Sequence, residues 1–153
     1  MNLIDKTYQA AVRGLKEEWF NNPSLNWFNY IQNLSSQEKT TYCIVVLDNQ
    51  VFNGGFHQYF SNGYGQFASS TIKALKNIGA VKKANLLNEA LQIVNPKNIE
   101  DREFALNLLK FEIDPLFKED TLFEPLEKLD DQYENHSEED LQILLENFLQ
   151  VKS

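Results

Sequence analysis

The chain has little of the chemistry that catalysis and metal binding most often use. In 153 residues there is one cysteine, Cys43, and there are two histidines, His57 and His136. A single cysteine excludes an intramolecular disulfide, and a reducing cytoplasm is the simplest compartment. Cys43 falls within the apolar run Tyr42 to Leu47, which reads as a buried, unreactive thiol. A Cys43–His57 nucleophile pair is the one such arrangement left open. No His-x-x-x-His, Cys-x-x-Cys or calcium-loop spacing occurs, so no metal site is expected. There is no P-loop and no dinucleotide fingerprint, so no cofactor is expected. Tyr42 to Leu47 is also the longest wholly apolar run, far too short to cross a membrane. The first residues lack a basic region followed by an apolar stretch, which predicts no signal peptide.

Basic residues are scarce where acids are dense. Residues 1–99 carry nine Lys/Arg and six Asp/Glu, a balance of +3, whereas residues 100–153 carry five and sixteen, a balance of −11. The net charge is −8. An acidic C-terminal third argues against direct nucleic-acid binding and fits either a basic partner or a solvated surface.

Helical signals dominate what is present. At 153 residues the length fits one domain, residues 1–153, large enough for a core without disulfides or metals. Ile4, Tyr8, Ala11, Val12, Leu15 and Trp19 recur at helical spacing, which predicts a helix over 4–20. Asn21-Asn22-Pro23 ends it, and Ser24 caps a short helix bearing Trp27, Phe28 and Ile31. Ser35 with Glu38 forms a capping box that opens a helix to about residue 50. Within it, residues 40–46 are rich in β-branched side chains, but no second strand-like run exists to pair with them. Further helices are expected over 55–61, 66–78 (ended by Gly79), 80–94, 99–113 and 123–133. Phe104, Leu108 and Phe111 define one buried face of the 99–113 helix. A last helix, capped by Ser137, buries Leu141, Leu144, Leu145 and Phe148. The expected fold is all-α, a single compact domain of about eight or nine short helices.

Asn53-Gly54-Gly55-Phe56-His57-Gln58-Tyr59-Phe60-Ser61-Asn62 is the most distinctive stretch. The paired glycines permit a sharp reversal. Asn53 is placed to cap a short helix whose Phe56, Tyr59 and Phe60 share one face and enter the core. Asn62-Gly63 suits a left-handed stop. The structural reading is a tight corner locked by an aromatic wedge. The functional alternative is a pocket in which Gln58, His57 and Asn62 hold a small ligand or a substrate. A phosphate there would lack a basic partner, because no Lys or Arg lies between Lys39 and Lys73.

Asp120, Glu124, Glu127, Asp131, Glu134 and Glu138 recur at steps of three and four, one stripe on a continuous helix. Pro125 and Ser137 are expected to interrupt that helix, which leaves only Glu127, Asp131 and Glu134 together on one face. Glu139 and Asp140 add to the same acidic region. A helix rises about 1.5 Å per residue, so the stripe offers a charge about every 5 Å, against a phosphate about every 3.4 Å along one DNA strand. Imitating a duplex would need a second acidic element or a second subunit.

The stretch Asn53-Gly54-Gly55-Phe56, Gln58, Tyr59-Phe60 and Asn62 resembles the signature of a bacterial DNA-mimic protein family. The likeness continues more loosely through residues 45–49, Ala74-Leu75, Ile78-Gly79-Ala80, residues 129–133 and Asp140-Leu141, and covers roughly residues 31–150. The resemblance implies an all-α fold, no enzymatic activity and homodimerisation. It also implies a partner that is a basic protein such as a DNA-binding transcription regulator. The acidic residues, Asp120 to Asp140 as named, are the expected partner surface. The alternatives are the small-ligand or enzyme pocket near Gln58 and His57, and an accessory structural domain whose acidity is incidental.

Overall fold

The computed structural model describes residues 2–152, the side chain of Lys152 excepted. Among the described residues there are nine α-helices, two 3-10 turns and no strand. The β-branched run at 40–46 is helical, as expected.

The first helix, α1 (Leu3–Val12), is shorter than the periodicity predicts. A side chain from the next helix, α2 (Asn26–Gln32), stops it. The Tyr30 hydroxyl donates to the Ala11 carbonyl at 2.5 Å and accepts the Gly14 N–H at 3.1 Å. That clamp replaces the next helical bonds, and the chain re-forms only as a 3-10 turn at Glu17–Phe20.

The long helix α3 (Ser36–Ser61) is the centre of the molecule. Ser35 caps it, its hydroxyl accepting the Glu38 N–H at 3.2 Å. Around it pack α1, α2, α4 (Ala68–Ile78), α8 (Phe123–Asn135) and α9 (Leu141–Lys152). A 3-10 turn at Tyr64–Phe67 leads into α4. Gly79, with φ 95°, reverses the chain into α5 (Val81–Val94). The Gly79 N–H bonds Lys76 O and the Ala80 N–H bonds Leu75 O, the left-handed closure in which glycine has no steric cost.

The helix expected over 99–113 is instead α6 (Asp101–Leu109), capped by the Glu100 carboxylate on the N–H groups of Arg102 and Glu103. The same left-handed closure ends it early, here with Phe111 at φ 57°. That reversal turns Phe111 out of the buried face to 61% exposure. The short α7 (Asp114–Phe117) follows, with Pro115 in its first turn.

Two apolar clusters fill the interior. The larger centres on Phe56, Tyr59, Phe60, Leu75, Leu87 and Leu126. The smaller holds Trp27, Phe28, Ile31, Tyr42 and Phe67. In α9, Leu141, Leu145 and Leu149 are buried, while Leu144 and Phe148 are only partly covered. Its cap is Asp140, whose carboxylate accepts the Ile143 N–H at 3.1 Å. Ser137 belongs to the turn before it.

Candidate interaction surface and the helix break

The helix α3 is broken at Gly55, where φ is 79° and ψ −176°. The break frees the Phe56 N–H from the helical ladder. Asp130 of α8 receives it, Oδ1 accepting at 2.8 Å. Asn53 therefore does not cap the short helix. It lies inside α3, exposed, and the cap comes from 74 residues further along the chain. Gly55 is required twice. Its φ is one that side chains rarely adopt, and a methyl group there would collide with the Asp130 carboxylate.

Gly54 serves its neighbour. A side chain on it would collide with Gln58. Gln58 lies across the break instead and donates to Gln50 Oε1 at 3.1 Å, while Asn62 donates to the same oxygen at 3.0 Å. The two amides thus splice the short segment back onto the long one. Phe56, Tyr59 and Phe60 are fully buried, and Phe56 meets Tyr133 edge-on at 5.7 Å. Gly63, at φ 88°, makes the expected stop.

These contacts leave little for ligand chemistry. The Gln58 amide is bonded and Tyr59 is sealed in the core. His57, Gln58 and Tyr59 line none of five surface cavities of about 230 to 560 Å³, and Asn62 alone of the expected pocket residues lines one, of about 410 Å³, beside Phe20 and Phe111. His57 packs against Phe123, with its Nε2 3.4 Å from Asp120 Oδ1. Cys43 is buried, and burial pushes its thiol up to about 11, far from a thiolate nucleophile.

The acidic residues divide by environment. Glu124, Glu127, Asp131 and Glu134 are all exposed on α8. At about 100° per residue they share one face, opposite the buried Leu126, Leu129 and Tyr133. Lys128 is the only basic residue in the helix. Asp120 lies outside α8, in the loop after α7, beside His57. Glu138 pairs with Lys82 at 2.8 Å, and that ammonium pulls its carboxyl down to about 2. Asp140 is exposed and caps α9. Glu139 is turned inward, only 8% exposed. Its two oxygens accept the N–H groups of Lys82 and Lys83 at 2.8 Å each, a carboxylate cap on the N-terminus of α5. It is not available to a partner.

Two carboxylates that the sequence did not single out tie α8 to α3. Besides Asp130, Asp48 accepts the Tyr133 hydroxyl at 2.8 Å. The Lys83 ammonium stands 4.6 Å from the centre of the Tyr133 ring. Burial raises the Asp130 carboxyl above its ordinary value, the Phe56 N–H opposes this, and Asp131, Glu127 and Glu134 add to the rise. The only signal in sequence was the position of Asp130, between the acidic and apolar faces of α8.

These features define an all-helical protein with an acidic helix clamped to a glycine-broken one. The model of the DMP19-like protein family matches residues 32–152, and the chain belongs to that family. Comparison with curated proteins finds no match, and comparison with solved structures finds none either.

Proposed function

We propose that the chain is a non-enzymatic interaction module of the cytoplasm, a DNA mimic whose acidic α8 occupies the basic surface of a DNA-binding protein such as a transcription regulator. The partner is a protein, not nucleic acid or a membrane. Membership of the DMP19-like family supports this reading.

One observation carries it. Glu124, Glu127, Asp131 and Glu134 stand exposed on one face of one helix, about 15 Å from first to last at the helical rise. Like charges at this spacing cost about 0.2–0.5 kcal/mol per pair, a cost that favourable contact with a basic surface would offset. Glu138 and Asp140 add exposed carboxylates in the turn that follows. A single row imitates one strand. Two copies in a homodimer would supply the second.

The test is a pull-down from lysate of the source organism, with the wild-type chain and with E127K/D131K/E134K as baits, at low and high salt. The proposal expects a basic DNA-binding protein, released by salt and missed by the variant. Equal recovery by both baits would sink it.

A further inference from the structure

Phe52, on α3, is the most exposed aromatic side chain among the described residues, 81% open to solvent. The other exposed rings lean on a neighbour: Phe20 on Trp27, Phe111 on Phe117 and Phe123 on His57. Phe52 makes no ring contact among the described residues. A single exposed apolar residue is ordinary. The position of this one is not.

Asp48 lies four residues before Phe52 and Phe56 four after it, and both grip α8. Asp48 accepts the Tyr133 hydroxyl at 2.8 Å, and the Phe56 N–H donates to Asp130 at 2.8 Å. The helix α8 therefore runs antiparallel past Phe52, with its residues from Asp130 to Glu134 level with the ring. On the other side, a helical side chain leans over the turn before its own Cα, which carries the ring towards Asp48 and Asn49. Those two line a cavity of about 230 Å³ with Asp5 and Gln142, and no Lys or Arg lines it.

The ring is thus flanked by carboxylates on two sides, and no Lys or Arg lies between Lys39 and Lys73 to offset them. A second copy seated there would bring like charges together, whereas a basic partner brings opposite ones. Among cations, this ground selects arginine. A guanidinium stacks flat on a ring while its edge bonds carboxylates, and an ammonium is compact and more strongly hydrated. A carboxylate has about four acceptor positions, so Asp48 can hold Tyr133 and a second donor.

We propose that Phe52 is a platform for an arginine side chain of a basic partner, its guanidinium stacked on the ring between Asp48 and Glu134. The basic character of the partner rests on the proposed function. The platform adds what imitation by charge does not supply, a preference for arginine over lysine.

The experiment is a fluorescence anisotropy titration of labelled octa-arginine and octa-lysine with the wild-type chain, Phe52→Ala, Phe52→Leu and E127K/D131K/E134K, at one salt concentration. The wild type should bind octa-arginine more tightly. Both Phe52 variants should weaken octa-arginine about threefold and leave octa-lysine unchanged. Leucine keeps an apolar side chain without a ring face, so it separates stacking from apolar contact. Equal affinity of the wild type for the two peptides, or unchanged octa-arginine affinity in either Phe52 variant, would overturn the proposal. A lower sedimentation mass of Phe52→Ala with unchanged peptide affinity would assign the ring to a second copy and overturn it too. If the ring matters but E127K/D131K/E134K binds both peptides like wild type, the role of α8 fails and the platform stands. Absence of binding to either peptide by the wild type would sink both.

Discussion

Asp130 and Phe56, separated by 74 residues, are joined by one hydrogen bond of 2.8 Å that closes the break in the central helix. The glycine that makes the break also makes room for the carboxylate that repairs it. The helix bearing the exposed acids is thereby fixed to the helix bearing the aromatic wedge. Substitutions at either end of this contact should act on the whole fold.

Gly55→Ala should be among the most damaging small changes. At φ 79° and ψ −176° Gly55 lies in a region essentially confined to glycine, which costs a side-chain-bearing residue about 1–3 kcal/mol, and the collision with Asp130 adds to it. A loss of about 2 kcal/mol or more in urea unfolding, at unchanged m value, is the expected outcome. Gly79→Ala is the control, since its added carbon meets nothing closer than Leu144 at 4.0 Å. It should lose only the conformational part, about 1 kcal/mol.

Asp130 should make stability depend on pH in an unusual direction. Its folded-state pKa lies above the ordinary 3.8, so the folded chain holds the proton more tightly than the unfolded one. That contribution is fully present below the unfolded value and is lost as pH rises through the folded value. Asp130→Asn keeps an acceptor for the Phe56 N–H and removes the charge. The variant should be more stable than wild type at pH 7, and the difference should shrink as pH falls towards 3.8. Parallel urea titrations across that range measure it, and a difference that grows on acidification would contradict the assignment.

Tyr133→Phe should leave the fold intact but weaken the α3–α8 contact. It removes the donor to Asp48 while keeping the ring beneath Lys83. A cost of about 1 kcal/mol is expected, read by thermal unfolding.

Glu139→Ala should destabilise rather than merely reduce acidity. Two α5 N–H groups lose their acceptor, a cap loss of about 1–2 kcal/mol. Glu138→Ala, on the exposed ion pair with Lys82, should change stability far less. Chemical denaturation of the two variants separates a structural carboxylate from a surface one.

How much was legible in sequence depended on distance along the chain. Ser35 and Gly79 announced their helix ends because each cap involves residues within a few positions. The aromatic wedge of Phe56, Tyr59 and Phe60 followed from spacing alone. The early end of α1 did not, because the Tyr30 hydroxyl that stops it lies 19 residues from the carbonyl it binds. The outward turn of Phe111 was hidden because a left-handed residue is expected to be glycine. In the acidic third, spacing placed Glu127, Asp131 and Glu134 correctly on one exposed face. It left Asp130 out of the stripe without finding its role, and it counted Glu139 as partner surface, because the contacts of both are to backbone groups 74 and 56 residues away.

The central claim is that α8 stands in for DNA, and competition tests it most directly. The DNA-binding protein recovered by the wild-type chain would be purified and its complex with this chain titrated with duplex carrying its binding site. The account predicts mutual exclusion, with duplex displacing the chain and E127K/D131K/E134K failing to compete for the site. A stable ternary complex of chain, partner and duplex would contradict it.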